Sequence, residues 1–171
     1  MRDVAIKPEF VKNEVEKLSS AHPEVIYHFT SLFHLNRILT SKWITTTESN
    51  LTVSEFVSPR VVWMTDLSTP NNHGLLFQDT MPDELNKTFY RISIRWNNHF
   101  KLWDEWSDEK GIDPEIKHAM IESAGAQETY KSWYISESII PVNDWLTIED
   151  VGTGKVLFKW ENNKFIRMTT H

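Results

Sequence analysis

A chain that places eight Trp, nine Phe and four Tyr among 171 residues, with only five Gly, must bury flat rings more than branched aliphatics. Rings of this size cover large areas and pack edge to face, so several elements have to converge on them, and any ring left over is suited to stack on a planar ligand. The length suits one domain with a real core. No Cys is present, which removes disulfides, cysteine nucleophiles and thiolate metal sites together and leaves His and carboxylates for any metal. A net charge of -6 argues against a broad phosphate-neutralising surface but is compatible with a local basic groove. No run approaches the roughly 18 apolar residues of a membrane span, and the first seven residues lack the apolar segment of a secretory signal. A soluble cytoplasmic protein is expected, with no membrane partner and no metal.

The periodicities outline the elements. Glu9 to Leu18, after Pro8, reads as an amphipathic helix in an N-terminal extension covering residues 1–22. Val25-Ile26-Tyr27-His28-Phe29-Thr30 suits a buried strand, and Thr30 or Ser31 then caps a helix from Leu32 to about Ser41. Residues 46–60 read as a long loop. Val61 to Thr65 is a second strand, stopped by the turn formers of 66–74. Phe89 to Trp96 alternates, which predicts a half-buried strand with Tyr90, Ile92, Ile94 and Trp96 on one face. Helices are expected over Phe100–Trp106 and from Pro114 to about Ala124, a strand over Ser132–Ile140, a turn over Pro141–Trp145, and a C-terminal hairpin of Lys155–Trp160 and Lys164–Met168. Strands interrupted irregularly by helices, without βαβ alternation, make this an α+β domain with a mixed or mostly antiparallel sheet.

No phosphate-binding Gly-rich loop, His-Glu-x-x-His or Gly-x-Ser-x-Gly motif occurs, so common nucleotide hydrolase and metalloprotease readings fall away. Three strand segments instead combine apolar bodies with an isolated polar group: Tyr27-His28-Phe29-Thr30, Val62-Trp63-Met64-Thr65-Asp66 and Tyr134-Ile135-Ser136-Glu137-Ser138-Ile139-Ile140-Pro141. A carboxylate in such a run is costly unless paired, solvated or used, which singles out Glu137. Its plain alternative is an edge residue facing water, and that of His28 is a hydrogen-bonded core imidazole.

Together these segments resemble the ADP-ribosyltransferase fold, in the His-aromatic-Glu branch that includes diphtheria-toxin-like and poly(ADP-ribose) polymerase enzymes. His28-Phe29-Thr30 is similar to the family's His-x-Thr strand, Trp63-Met64-Thr65-Asp66 to its aromatic second strand with Trp in place of Tyr, and Glu137-Ser138-Ile139-Ile140-Pro141 to its Glu-led third. A weaker echo, in Tyr27 to Leu32, is of DarT-like transferases. The resemblance implies a split sheet with flanking helices, NAD as substrate, and a mono-ADP-ribosyltransferase that modifies a protein or nucleic-acid target in bacterial or phage conflict. It also implies roles. Glu137 is the catalytic carboxylate, His28 and Thr30 bind ribose hydroxyls, and the Phe29 backbone meets the carboxamide.

Trp63, with Tyr90 or Trp133, would stack on the cationic nicotinamide, beside Thr65. Arg60, Arg91 or Arg37 would meet the pyrophosphate, and Glu149 and Asp66 are fallback carboxylates. Ile135 occupies the position where Arg- or Asn-modifying branches carry Glu or Gln, so that acceptor chemistry is not implied. An RNA 2′-phosphotransferase shares the fold but needs more cations. The other class of reading is a catalytically inactive domain that acts as a protein-binding inhibitor through an acidic, Trp-rich surface.

Overall fold

The computed structural model describes residues 22–47, 59–70 and 82–168, so the helix expected over Glu9–Leu18 and most of the 46–60 loop lie outside the described residues. The run of β-branched and aromatic residues after Pro23 forms strand β1, Val25–Thr30. Ser31 ends it, its hydroxyl accepting from the His34 amide at 3.4 Å, and caps helix α1, Leu32–Ser41, whose Leu35 and Ile38 turn into the core. Lys42 closes α1 in the left-handed region at φ 65, and Trp43–Ile44 (β2) leaves it as an extended pair.

The remaining strands are Val62–Thr65 (β3), Tyr90–Arg95 (β4), Lys101–Leu102 (β5), Trp133–Ser136 (β6), Ile140–Pro141 (β7), Trp145–Asp150 (β8), Lys155–Glu161 (β9) and Lys164–Arg167 (β10). Two further helices, Trp103–Glu109 (α2) and Pro114–Ser123 (α3), come between β5 and β6. Asp113 caps α3 with Pro at its first turn, as the sequence predicts.

Eight strands form one sheet in the order β10-β9-β8-β4-β1-β3-β6-β5, with β2 and β7 paired separately. Every described pairing is antiparallel, which resolves the expected mixed or antiparallel sheet to the antiparallel form. The fold class is α+β.

Both faces of the central strands are covered. On one lie Ile26, Val62, Met64, Ile92, Ile94 and Ile148 beneath Leu35 and Ile38 of α1. On the other, Val61, Trp133 and Ile135 meet Trp103 and Trp106 of α2 and Ile121 of α3. Trp103 packs edge to face on Trp133 at 5.1 Å between centroids, and Trp133 on Trp63 at 5.9 Å. β4 is half-buried as expected: Ile92 and Ile94 are buried on one face, while on the other Phe89 and Arg95 are exposed, Arg91 is intermediate and only Ser93 is buried.

Three expectations change. Lys101 and Leu102 pair with Ile135 and Tyr134 as an edge strand, and the helix starts only at Trp103. The single strand expected over Ser132–Ile140 is two strands in different sheets. Between them Ser136 folds the chain: its Oγ donates to the Ser138 carbonyl at 2.9 Å and accepts from the Ser138 amide at 3.1 Å. Finally, the chain does not simply turn away at Trp145. It enters β8, which carries the buried Trp145 and Ile148 and joins β4 to the C-terminal hairpin. That hairpin turns at Asn162 and Asn163, both at positive φ, as a two-residue connection requires.

The Trp cluster should dominate stability. Trp103→Ala is expected to lower the unfolding free energy by about 3–5 kcal/mol, whereas Ile166→Ala on the exposed side of β10 should stay within about 0.5 kcal/mol; urea denaturation measures both.

Candidate functional site

The central ladder is unequal. β1 pairs with β4 along six residues and β3 with β6 along four, but β1 and β3 share only Tyr27↔Thr65. Past that pair the strands part. Val61, at the far end of β3, exchanges both backbone hydrogen bonds with Thr47 at 2.8 Å, so Thr47 occupies the edge that β1 has left. Between the two ends, the His28 Nδ1 lies 2.9 Å from the Trp63 carbonyl. A carbonyl only accepts, so Nδ1 carries the proton and Nε2 of the neutral ring is an acceptor.

A cleft of about 930 Å³ lies at this parting. Its walls take His28, Thr30 and Met64 from one face of the sheet and Tyr27, Trp63 and Trp133 from the other, together with α1, α3 and the Thr45–Thr47 segment. Residues on opposite faces of a continuous sheet cannot share a cavity. Here they do because β1 and β3 separate. Tyr27, Thr65 and Trp133 form one row across three strands at the closed end.

The charge of the cleft is one-sided. Arg37, Arg60, Lys87, His28 and His34 line it, with seven Ser and Thr hydroxyl groups and no carboxylate among the described residues. Arg60 donates to the Thr46 carbonyl at 3.1 Å and Arg37 lies over the Phe33 ring, but neither meets a carboxylate among the described residues, and nor does Lys87. Elsewhere Arg91, Lys101, Lys110, Lys117 and Lys159 each do, whereas Lys42, Arg95, Lys131, Lys155, Lys164 and Arg167 lie apart from one another outside the cleft without an ion pair among the described residues. In a chain of net charge -6, such a concentration of unpaired cations favours an anion.

The histidines feel it. Burial, reinforced by Lys87 and His34 and opposed by the bond to Trp63, pushes the His28 pKa down to about 4. Burial and then the Lys87 and Arg37 charges lower that of His34.

Of the residues singled out from sequence, His28, Phe29, Thr30, Trp63, Thr65, Arg60, Arg37 and Trp133 line the cleft. Tyr90, Arg91 and Glu137 are not in its wall. Tyr90 sits across from Thr30 in β4 and packs on the core. Arg91 donates to the Glu149 carboxylate and the Ser68 carbonyl, with its guanidinium 4.9 Å over the Tyr27 ring, so it backs a cleft residue from outside. The fallback Glu149 is thereby engaged, and it also accepts from Thr147 Oγ1 at 2.8 Å. Glu137 follows β6 in the Ser136–Ser138 bend, its side chain 41% exposed. Its Oε1 accepts from Trp106 Nε1 at 2.5 Å and pairs with Lys110 Nζ at 2.8 Å. These two donors, Lys110 first, hold its pKa below the usual carboxylate value.

Comparison with protein-family models, curated proteins and solved structures finds no match. The functional reading therefore rests on the geometry and on the motifs. Lys87 and His34 were not among the residues the sequence suggested. Their only local signal is chemical type, since Lys87 lies in a connection and His34 on the outer turn of α1. Among the described residues no helix is long and apolar enough to cross a membrane, and no group of three His, Asp or Glu is placed to hold a metal.

The His28 pKa has a measurable consequence. Its folded value, about 4, lies below the ordinary 6.5, so between these the unfolded chain binds the extra proton and stability falls as pH drops. Acidification from pH 6.5 to 4 should cost the wild type about 2–4 kcal/mol more than it costs His28→Asn, read from urea unfolding at each pH. Equal losses in both proteins would place His28 in a solvated setting instead.

Proposed function

We propose that the protein is an NAD-dependent mono-ADP-ribosyltransferase that acts on a protein or nucleic-acid target. The observation that carries this reading is the cleft at the parting of β1 and β3, where the residues of the His-x-Thr and Trp segments meet around a cation-rich cavity with no carboxylate among its described lining. A dinucleotide needs what this cavity offers: ring faces for a base, acceptors and hydroxyls for ribose, and cations for a diphosphate. The free Nε2 of neutral His28 accepts from a ribose hydroxyl, and Trp63 offers an aromatic face to the nicotinamide cation. Arg37, Arg60 and Lys87 provide the positive charge, with Lys87 taking the place that sequence reasoning gave to Arg91.

In the reaction the bond between ribose C1′ and nicotinamide nitrogen breaks, nicotinamide leaves with the bonding pair, and the acceptor adds to C1′ and loses its proton. Positive charge grows on the ribose as the bond opens. The resemblance assigns stabilisation of that charge in the transition state to Glu137, which would have to reach the ribose from the Ser136–Ser138 bend outside the described cleft wall.

A second reading is a catalytically inactive domain that binds a nucleotide or a protein. What favours it is the engagement of Glu137 by Lys110 and its place outside the cleft wall. Of the Trp-rich surface invoked for a protein-binding inhibitor, Trp43 is exposed and Trp63, Trp96 and Trp160 are half-buried.

Calorimetry with NAD should give micromolar to millimolar affinity. Lys87→Met and Arg37→Met should each weaken it by about 5- to 30-fold, and His28→Ala should weaken it without loss of cooperative unfolding. Labelled NAD incubated with lysate should yield transferred label, and Glu137→Gln should lower that rate by about 10²–10³ with affinity nearly unchanged. Binding without transfer or hydrolysis by the wild type would favour the inactive domain. No binding at several millimolar NAD would overturn the NAD reading itself.

A further inference from the structure

The cleft is divided by charge, and the sheet is the partition. Alternation along β1 sends His28 to the α1 side and Tyr27 to the other, and Met64 and Trp63 part in the same way on β3. On the α1 side His28 and His34 meet Arg37, with Lys87 near enough to act on both rings. The opposite side is built differently. There Trp63 and Trp133 meet Ile116 and Met120 of α3, with Ala119 exposed at the rim, and no charged side chain lines it among the described residues. The Nε1 groups of Trp63 and Trp133 are buried without a hydrogen-bond partner, and Ser123 Oγ donates to the Met120 carbonyl of its own helix at 3.0 Å. Ring and hydrocarbon surface is what remains. Two cations approach from behind, and both are paired: Arg91, over Tyr27, with Glu149, and Lys117, over Trp103, with Asp104 and Asp108 at 2.5 and 2.8 Å. Neither lines the cleft.

We propose that the ligand lies through the parting of β1 and β3, with its cationic ring on the α3 side and its diphosphate on the α1 side, and that Ala119 and Met120 set the specificity for that ring. The inference rests on the NAD reading of the cleft. NAD carries both signs of charge: the nicotinamide nitrogen bonded to ribose makes that ring a cation, and the diphosphate is an anion. Among Arg37, Lys87 and Arg60 the ring would be repelled, whereas uncharged ring faces attract it. Ala119 keeps its part of the wall open because it contributes a methyl group only, and the Met120 thioether adapts to a flat partner.

The test is calorimetry on the full chain with three ligands: NAD, NADH, whose ring is neutral, and ADP-ribose, which has no nicotinamide. Ala119 is exposed, so its substitution opens no cavity in the core, and Ala119→Gln shows what size alone does. Relative to Ala119→Gln, Ala119→Lys should weaken NAD by about 3- to 10-fold and Ala119→Glu should strengthen it by a similar factor. Both should leave NADH and ADP-ribose within about twofold. Lys87→Met, on the other side of the sheet, should weaken all three ligands alike. Ala119 variants that shift the three ligands equally, or shift none, overturn the inference while leaving NAD binding to the cleft standing. A wild type that does not bind NAD overturns the NAD reading, and this inference with it.

Discussion

The hydrogen bond between the His28 imidazole and the Trp63 carbonyl holds the central feature of the molecule in place. Where β1 parts from β3, a backbone carbonyl is left facing a gap, and an unpaired buried carbonyl costs about as much as a lost hydrogen bond. His28 closes that account with its side chain while Thr47 takes the next position along the edge. The sheet is therefore opened without leaving this part of its ladder unsatisfied. The same bond selects the Nδ1–H tautomer and so gives the cleft an acceptor, at Nε2, instead of another donor.

The two layers on either side serve this opening. A sheet covered on one face only would place any cleft at its surface. With α1 over one face and the indoles of α2 and β6 over the other, the gap between β1 and β3 becomes a cavity with walls from both layers. Its rings are held by their neighbours: Tyr27 is backed by Arg91, which Glu149 and the Ser68 carbonyl fix in turn, and Trp63 and Trp133 are packed edge to face. Preorganised walls lose little entropy when a ligand enters. The cations Arg37, Arg60 and Lys87 meet no carboxylate among the described residues, and desolvation together with Lys87, and for His34 also Arg37, lowers the pKa of the two histidines beside them. The site is thus poised for negative charge while the protein as a whole is acidic.

Much of the local structure was legible from the residues. β1, α1, β3, β4 and the terminal hairpin follow from side-chain period and from caps that act within a few residues, such as Ser31 and Asp113. The strand at Lys101–Leu102 was read as helix because its apolar spacing continues into α2, and only the free edge of β6 draws it into the sheet. β8 was missed because it follows a Pro-containing turn and its alternation is imperfect; its pairing with β4 and β9 supplies what local preference does not. The break after Ser136 depends on a side chain bonding its own backbone two residues on, which competes with extending the strand.

The sequence by itself determined which segments carry unusual polar groups, that disulfides and thiolate chemistry are absent, and that rings dominate the interior. Tertiary structure alone decided which charges meet. Arg91 lies 58 residues from Glu149 in the chain and still finds it across one strand pair, which removes it from the cleft wall, while Lys87 and His34 arrive there from separate elements. The reason is one of range. Periodicity and capping are set by atoms within a turn or two along the chain, whereas the partner of a charge is whichever group the packed core brings within a few ångströms, and that is fixed only when all the layers are in place.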